Sequence, residues 1–253
     1  MRLSLLYNPL ILIERIAIEI KKNKRLNKLK NSPAKHLLPG HIDSLELLEI
    51  ISKDLRAPII FDIGANIGTW TLLAKSIFPN SQIHAFEPLQ SHVKEFNIYC
   101  ANLADIYLHI YCAGNENISS KINISSFSDS SSLLDATPLE FKEYNIQKVS
   151  EENVTIKRLE DEVLSKSLPV PDIIKLDVQG FELEALKGFG DQLKQSKYII
   201  CEVSFKEYYF KQPLFSDIVS YLFKYDYHLF AVGNNCTVGT ELNQMDVLFK
   251  RIS

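Results

Sequence analysis

The chain has 253 residues, of which 46% are hydrophobic and 23% are charged, and its formal net charge is −3. These values are typical of a globular protein and exclude a collagen-like, coiled-coil or disordered chain. A general nucleic-acid binder needs a surplus of Lys and Arg to neutralise phosphates, so we expect no nucleic-acid partner. The length predicts one domain, with or without an N-terminal appendage.

The cysteines and histidines are scattered along the chain. Cys100, Cys112, Cys201 and Cys236 form no CxxC pair, and the six histidines form no short cluster with them. This spacing predicts reduced, mostly buried thiols rather than a disulfide framework or a zinc site. We therefore expect a cytoplasmic protein without a metal.

The N-terminal segment is basic. Residues 1–35 contain nine Lys and Arg against Glu14 and Glu19, a local sum of +7, so the remaining 218 residues carry −10. We interpret residues 1–40 as a helical basic extension, in which Ile16 and Ile20 pack on the main domain while the basic end is solvated. The alternative is a peripheral contact of residues 1–30 with an acidic membrane or an acidic partner.

From residue 43 onward, helix-like and strand-like patterns alternate. Asp43 and Ser44 can cap the first helix, and Pro58 prevents it from continuing. The elements predicted before residue 115 are a helix at 45–55, a strand at 59–61, a helix at 69–77, a strand at 82–86, a helix capped by Ser91 and a strand at 106–112. Those predicted later are a short strand at 122–124, a serine-rich loop at 125–132, a strand at 173–177, a helix at 181–187, a strand at 198–203, a helix at 215–225 and strands at 227–232 and 245–250.

Strands that alternate with helices predict an α/β fold with a doubly wound sheet. Right-handed βαβ units give parallel strands with helices on both faces. The last connection has no obvious helix and is long enough for a hairpin, so we expect the last strand to be antiparallel. In such a sheet, ligands lie outside the carboxyl ends of the strands, where the strand order reverses.

The first predicted strand ends in Asp62-Ile63-Gly64-Ala65-Asn66-Ile67-Gly68. Gly64 permits a sharp turn, and Gly68 permits the next helix to begin close to a ligand, with its N–H groups facing a polar group. A dinucleotide fingerprint would need a third glycine near Leu72, and none is there. A tight strand–helix turn without a ligand is the alternative interpretation.

The next two strand ends favour a nucleoside ligand. Glu87 stands 19 residues after Gly68, where an acidic side chain can accept hydrogen bonds from ribose hydroxyls. A surface turn before Pro88 is the alternative. The third strand ends at Cys112 and Ala113, where a small side chain would let an adenine ring lie flat against the sheet.

The fourth strand end carries charges on an otherwise apolar strand. Lys175 and Asp177 lie on one face, and Glu202 is a third carboxylate at a comparable position of the next strand. Charges on a buried strand are costly unless they are paired or used. They predict either a structural salt bridge or a functional site at the pocket mouth.

In order along the chain, FDIGANIG, HAFEP, SSSLL, IIKLDVQGFELEALKG, IICEV and QMDVLFKR resemble the FkbM-type methyltransferases. These are S-adenosylmethionine-dependent enzymes of the Rossmann-like class I, usually acting on hydroxyl groups. The resemblance runs from about residue 59 to 251, so we assign a class I methyltransferase domain to residues 41–253. It implies S-adenosylmethionine as cofactor. The candidate cofactor-binding residues are Asp62, Gly64, Ala65, Asn66, Gly68, Thr69, Glu87, Pro88 and Ala113.

The resemblance also implies a substrate-side motif of Lys175, Asp177, Gly180 and Glu182, and we take Asp177, Lys175 and Glu182 as candidate catalytic residues. Asp177 would remove the acceptor proton, and Lys175 would orient either the Asp177 carboxylate or the acceptor. The family pattern has an acid where this chain has Gln179, so a role of that acid would pass to Asp177 or Glu182.

The expected reaction is O-methylation of a sugar, a glycolipid or a macrocyclic natural product, with the serine-rich loop closing over the acceptor. The alternatives are a nicotinamide-dependent oxidoreductase and a non-catalytic nucleoside-binding module.

Overall fold

The computed structural model describes residues 9–238 and 240–252. Its main sheet has seven strands in the order β3-β2-β1-β7-β8-β10-β9, and a second sheet has the order β4-β6-β5. The strands are β1 (Ile59–Ile63), β2 (Gln82–Phe86), β3 (Ile106–His109), β4 (Cys112–Gly114), β5 (Ile118–Ser125), β6 (Lys148–Arg158), β7 (Ile173–Leu176), β8 (Tyr198–Ser204), β9 (Tyr227–Val238) and β10 (Glu241–Arg251). In the main sheet β3, β2, β1, β7 and β8 are parallel, and β10 is antiparallel to both β8 and β9.

Helices cover both faces of the main sheet. They are α1 (Pro9–Leu29), α2 (Leu45–Ile51), α3 (Thr69–Ile77), α4 (Gln90–Cys100), α5 (Pro138–Tyr144), α6 (Leu159–Leu164), α7 (Glu182–Lys187) and α8 (Phe215–Phe223). Because side chains alternate along a strand, Phe61 packs in the cluster that contains α6, α7 and α8, whereas Ile60 packs in the cluster of α2 and α3. The predicted Rossmann-like, doubly wound fold with an antiparallel last strand is confirmed.

The predicted strand at 106–112 is wrong in one respect, because the chain leaves the main sheet after His109. β3 pairs with β2 as far as Phe86–His109, and Cys112–Gly114 then pairs with β6 in the second sheet. Most residues of β5 and β6 outside their central positions are exposed or half-buried, so their sequences lack an apolar run. For that reason the sequence indicated only a short strand near Ile122, and it predicted neither the second sheet nor α5.

Two predicted helix caps are replaced by other contacts. Ser44 precedes α2, but its hydroxyl donates a hydrogen bond to Asp246 instead of capping the helix. Helix α4 begins at Gln90, one residue before Ser91. The Glu87 carboxylate accepts a hydrogen bond from the backbone N–H of Leu89, the residue that precedes α4.

The predicted packing of Ile16 and Ile20 in the N-terminal helix is wrong. Ile16 and Ile20 are 50% and 62% exposed, whereas Arg25 and Leu29 in the basic part are buried. Asp43 and Glu46 lie 3.6 and 3.0 Å from the Arg25 guanidinium, so this one cation can be buried. Most lysines of the basic end are exposed, as expected of a solvated segment, among them Lys21, Lys24, Lys28 and Lys30. Contact of residues 1–30 with a membrane or a partner stays a prediction, and none of the described helices is long and apolar enough to cross a membrane.

Three cysteines, Cys100, Cys112 and Cys201, are buried and free. The side chain of Cys236 lies outside the described residues, so its predicted burial is not tested.

Candidate active site

A pocket of about 300 Å³ lies at the carboxyl ends of β1, β2, β7 and β8, where the strand order reverses between β1 and β7. It brings together most of the predicted site residues. Those that line it are Gly64, Ala65, Asn66, Thr69, Glu87, Pro88, Ala113, Lys175 and Asp177. Asp62, Gly68 and Glu182 are not among the lining residues, and their contacts show a supporting position instead.

The turn after β1 requires glycine at position 64. Gly64 has φ +80°, and a Cβ there would lie 1.9 Å from the backbone oxygen of Asp177. The Gly64 and Ala65 N–H groups donate to the carbonyl oxygen of Phe86 at 3.1 and 3.0 Å. The turn is therefore fixed between the ends of β2 and β7.

Gly68 is needed for helix packing, and its role beside a ligand stays a prediction. It has φ +93°, and a Cβ there would come within 2.9 Å of the Phe96 ring and 3.1 Å of the Cys100 sulfur on α4. This glycine therefore permits a close approach between α3 and α4, and Thr69, the first residue of α3, lines the pocket.

Glu87 closes the other side of the turn. Its Oε2 accepts from the Asn66 N–H at 3.0 Å, and its Oε1 accepts from the Leu89 N–H at 2.9 Å and contacts His92 Nδ1 at 3.2 Å. Burial opposes the charged form of His92, but the hydrogen bond and negative charge of Glu87 outweigh it and raise the pKa of His92. His92 was not predicted from the sequence, because its position five residues after Glu87 carries no recognisable signal.

Asp62 lies beneath the turn, fully buried. It accepts a hydrogen bond from Thr71 Oγ1 at 2.6 Å, and its Oδ1 lies 3.5 Å from Lys175 Nζ. Burial raises the pKa of Asp62, while Lys175 and Thr71 act in the opposite direction. Asp62 therefore supports the turn and holds Lys175 from below.

Lys175 connects the two halves of the pocket. Its Nζ donates to the Gly64 oxygen at 3.1 Å and lies 3.5 Å from both Asp62 Oδ1 and Asp177 Oδ2. Burial opposes its charge, but Asp177 and Asp62 more than compensate and raise the pKa of Lys175. The buried ammonium thus stays protonated and orients Asp177.

Asp177 follows β7 and is the candidate base. Its side chain is 35% exposed and lines the pocket. Gln179, which has φ +53°, donates from Nε2 to Asp177 Oδ1 at 2.9 Å and to Glu202 Oε2 at 3.2 Å. Where the family pattern has an acid, this chain therefore has an amide that bridges two carboxylates.

Glu202 and Asp246 are direct neighbours across β8 and β10, and both line the pocket. Burial, together with the charges of Asp177 and Asp246, raises the pKa of Glu202 well above its usual range. Burial is also the main cause that raises the pKa of Asp246 to about 6, against the hydrogen bond from Ser44. Asp246 was not selected from the sequence, although a charge on an apolar strand was the signal that identified Lys175.

Glu182 fixes the loop between β7 and α7. It is 4% exposed, and its Oε1 accepts from the Val178 and Gly180 N–H groups at 3.0 and 3.1 Å. Burial raises its pKa to about 7, although these backbone hydrogen bonds lower it. These contacts make Glu182 a positioning residue for the segment that carries Asp177.

The serine-rich loop reaches the glycine turn. Asp129 Oδ1 accepts from Asn66 Nδ2 at 2.8 Å, and Ser132 Oγ donates to the Gln179 oxygen at 2.6 Å. The loop thus contacts both sides of the pocket.

The pocket fits a nucleoside with a polar tail. Two buried polar atoms on its wall, Trp70 Nε1 and Tyr111 OH, have no hydrogen-bond partner among the described residues. Small and apolar residues, including Ala113 and Cys112, form the wall where a flat ring could lie. Within the described part of the chain, no group of three or more His, Cys, Asp or Glu could hold a metal.

A doubly wound sheet with a glycine turn and an acidic residue at successive strand ends defines a Rossmann-like, nucleoside-binding class of protein. The sequence profile of the methyltransferase FkbM domain matches residues 62–229, more than half of the chain. The chain therefore belongs to the FkbM methyltransferase family. The prediction of an S-adenosylmethionine-dependent methyltransferase family is confirmed, and neither alternative class receives support.

Two relatives and one solved structure illustrate this similarity. Methyltransferase 1 of Beauveria bassiana is 30% identical over 148 residues, 53% of this chain and 59% of the relative. Hexuronic acid methyltransferase AglP of Haloferax volcanii is 29% identical over 169 residues, 66% of this chain and 63% of the relative. The chain thus spans about three fifths of these relatives' lengths.

The solved structure is the precorrin-6y C5,15-methyltransferase of Geobacter metallireducens GS-15. It aligns with TM-score 0.47 and 14% identity over 82% of this chain and 87% of that one. At that level the match adds no information on substrate or cofactor.

Proposed function

We propose that the protein transfers a methyl group from S-adenosylmethionine to a hydroxyl group of a small-molecule or glycan acceptor. The observation that carries this proposal is one continuous pocket, which runs from the glycine turn and Glu87 to Asp177. Nothing in this arrangement requires a nucleic-acid partner.

The cofactor would lie between the turn after β1 and the end of β2. When bound, S-adenosylmethionine supplies a methyl carbon that its sulfonium already activates. A carboxylate offers about four acceptor positions, and Glu87 uses three of them for Asn66, Leu89 and His92. The remaining capacity suits a ribose hydroxyl, and the wall at Cys112 and Ala113 suits the adenine ring.

Asp177 would act as the general base. It is the most accessible carboxylate of the β7 and β8 strand ends, and Lys175 and Gln179 fix one oxygen each. In the reaction, Asp177 takes the proton of the acceptor hydroxyl as the new O–CH3 bond forms and the S–CH3 bond breaks. A positioned base of this kind contributes about 10²–10⁴-fold in rate.

The acceptor class of this proposal is a hydroxyl on a sugar, a glycolipid or a macrocycle. The name of the Haloferax volcanii relative assigns hexuronic acid methylation to that protein, which supports a sugar acceptor here. The serine-rich loop would close over the acceptor, since it already contacts Asn66 and Gln179.

The test is transfer of a labelled methyl group from S-adenosylmethionine to compounds in a glycan extract, with wild type and Asp177→Asn compared. We expect the variant to lose about 10²-fold or more in turnover and to bind S-adenosylhomocysteine as tightly as wild type in calorimetry. Asp191→Asn, on an exposed side chain outside the pocket, is the matched control. Unimpaired turnover of Asp177→Asn would exclude this base.

A further inference from the structure

The acceptor end of the pocket concentrates carboxyl groups. We call Asp177, Glu202 and Asp246 the acceptor-end carboxylates, since they follow or occupy β7, β8 and β10 and line the pocket beyond the glycine turn. Glu202 and Asp246 face each other across adjacent strands, and Gln179 Nε2 bridges Asp177 and Glu202. Gln244 Nε2 also donates to Glu202 Oε2, at 3.3 Å. Neutral amides therefore hold this group together.

The Lys175 ammonium near these carboxylates already has hydrogen-bond and ion-pair partners. Lys175 is the one Lys or Arg among the described residues that line the pocket. Lys175 is 5% exposed, and its ammonium contacts the Gly64 oxygen, Asp62 and Asp177. An acceptor with a carboxylate would meet no uncommitted Lys or Arg on this described wall.

The carboxylates themselves decide which groups an acceptor can place beside them. A hydroxyl or ammonium group can donate a hydrogen bond to a carboxylate, whereas a carboxylate can only accept. An acceptor that carries a carboxylate therefore offers no donor from that group to Glu202 or Asp246.

We propose that the acceptor is a neutral or amino-bearing polyhydroxyl compound, and that the acceptor-end carboxylates reject an acceptor that carries a carboxylate. This inference rests on the proposed methyl transfer and narrows its substrate class. Acceptor hydroxyl or ammonium groups donate to Glu202 and Asp246, while a uronate would place another negative charge beside them. Like charges brought together at a binding site weaken binding strongly. This repulsion is what would make the enzyme discriminate against an acceptor that carries a carboxylate.

The electrostatic state of the site agrees with this geometry. The pKa values of Glu202 and Asp246 are both raised, with burial as the first cause and the neighbouring carboxylates adding to it. Because ionisation of these carboxyl groups is already unfavourable, an acceptor that donates hydrogen bonds should bind more favourably than an acceptor that is an anion.

The experiment compares matched acceptors of one configuration: a methyl hexoside, the corresponding aminohexoside and the corresponding hexuronide, over several configurations. Methyl transfer is measured at about pH 8.5, where histidine side chains are generally neutral. We expect kcat/KM for the best hexoside or aminohexoside to exceed that of its hexuronide by about 100-fold or more. Equal or preferred use of the hexuronide would overturn the inference and leave the proposed methyl transfer intact.

A charge-neutralised variant tests the cause. In Glu202→Gln with Asp246→Asn, the hexoside-to-hexuronide ratio should shrink about 10-fold or more, because two groups that can carry negative charge are replaced by neutral amides. Asp191→Asn serves as the control and should keep the wild-type ratio. If the double variant fails to fold, the comparison of the matched acceptors with the wild-type protein still tests the inference. Absence of transfer to all three acceptor classes, with transfer to compounds in the glycan extract, would overturn this inference and leave the proposed function intact, whereas absence of transfer in both experiments would overturn the proposed function.

Discussion

The two ends of the pocket are built in opposite ways. We call the turn at residues 64–66 together with Glu87 the cofactor end, after the ligand proposed for it. There, the N–H groups of the turn and of the residue before α4 donate hydrogen bonds to the Glu87 carboxylate and the Phe86 carbonyl oxygen. At the acceptor end, carboxyl groups face one another, and the pKa values of Glu202 and Asp246 are raised because burial and like charges disfavour ionisation. The first end contributes to stability, whereas the second stores unfavourable electrostatic energy.

We expect the two ends of the pocket to have different roles: the cofactor end contributes to folding stability, and the acceptor end contributes to substrate specificity. A turn whose polar groups are paired can be completed by local contacts and needs no ligand to be stable. A cluster of like charges is costly for the fold, and it is retained where function uses it. Substitutions at the two ends should therefore change stability in opposite directions.

The largest effect is expected for Gly64→Ala. The new Cβ would overlap the Asp177 oxygen and force an alanine into φ +80°. Left-handed strain and overpacking together cost about 2–5 kcal/mol in unfolding free energy. Denaturant titration measures this loss, and calorimetry should show that S-adenosylhomocysteine binding is lost with it.

Gly40→Ala is the control for this prediction. Gly40 also lines the pocket, but a Cβ there would have nothing within 4 Å. A Gly64→Ala protein as stable as Gly40→Ala would contradict the assigned need for glycine in the turn.

The next effect concerns Glu182 and pH. Its pKa is raised from 4.5 to about 7, so its contribution to stability is complete below pH 4.5 and is lost as the pH rises through about 7. The shift corresponds to roughly 3 kcal/mol of unfolding free energy. Glu182→Gln keeps an acceptor for Val178 and Gly180, so its stability should not fall over this range, and its kcat should stay within about threefold of wild type.

Glu184→Gln, on the same helix but paired with Lys187 at the surface, should keep the wild-type pH profile. A loss of turnover of about 100-fold in Glu182→Gln at unchanged stability would instead make Glu182 a catalytic residue.

The cofactor end could be predicted from the sequence because its information is local. Gly64 and Gly68 lie within one turn, and Glu87 follows at the end of the next strand, so periodicity and spacing indicated these residues. Asn66 was indicated only by the resemblance to the family. The main sheet was predictable for the same reason, since its strands are short apolar runs between helical segments.

The acceptor end depends on contacts between distant segments. Ser44 binds Asp246, 202 residues away, and the β8–β10 register places Asp246 opposite Glu202. No local pattern specifies that register in advance. The second sheet was also not predicted from the sequence. Its strands are mostly solvent-exposed and lack the apolar pattern that marks a buried strand.

A smaller loss of stability is expected for Glu87→Gln. An amide has one oxygen, so whichever way it turns, the Asn66 N–H or the Leu89 and His92 donors lose their acceptor. An unsatisfied buried donor costs about 2 kcal/mol, and S-adenosylhomocysteine affinity should fall about 10-fold or more. Glu95→Gln, on the exposed side of α4, should change stability by less than about 0.5 kcal/mol. Equal stability of the two variants would show that Glu87 is not needed to hold the turn.

The smallest effect has the opposite sign. In Glu202→Gln the amide oxygen can still accept from Gln179 and Gln244, while its NH2 group offers donors among the neighbouring carboxylates. Because the pKa of Glu202 is raised, the folded protein resists its ionisation, and stability associated with the protonated form is lost as the pH rises through that pKa. At alkaline pH, the free energy of unfolding of the variant should therefore exceed that of wild type by about 1 kcal/mol. In acid, where Glu202 of wild type is protonated, the difference should be smaller. Denaturant titrations across this range measure the difference. A variant less stable than wild type at alkaline pH would mean that the Glu202 charge is stabilised in the fold, and the contrast between the two ends of the pocket would fail.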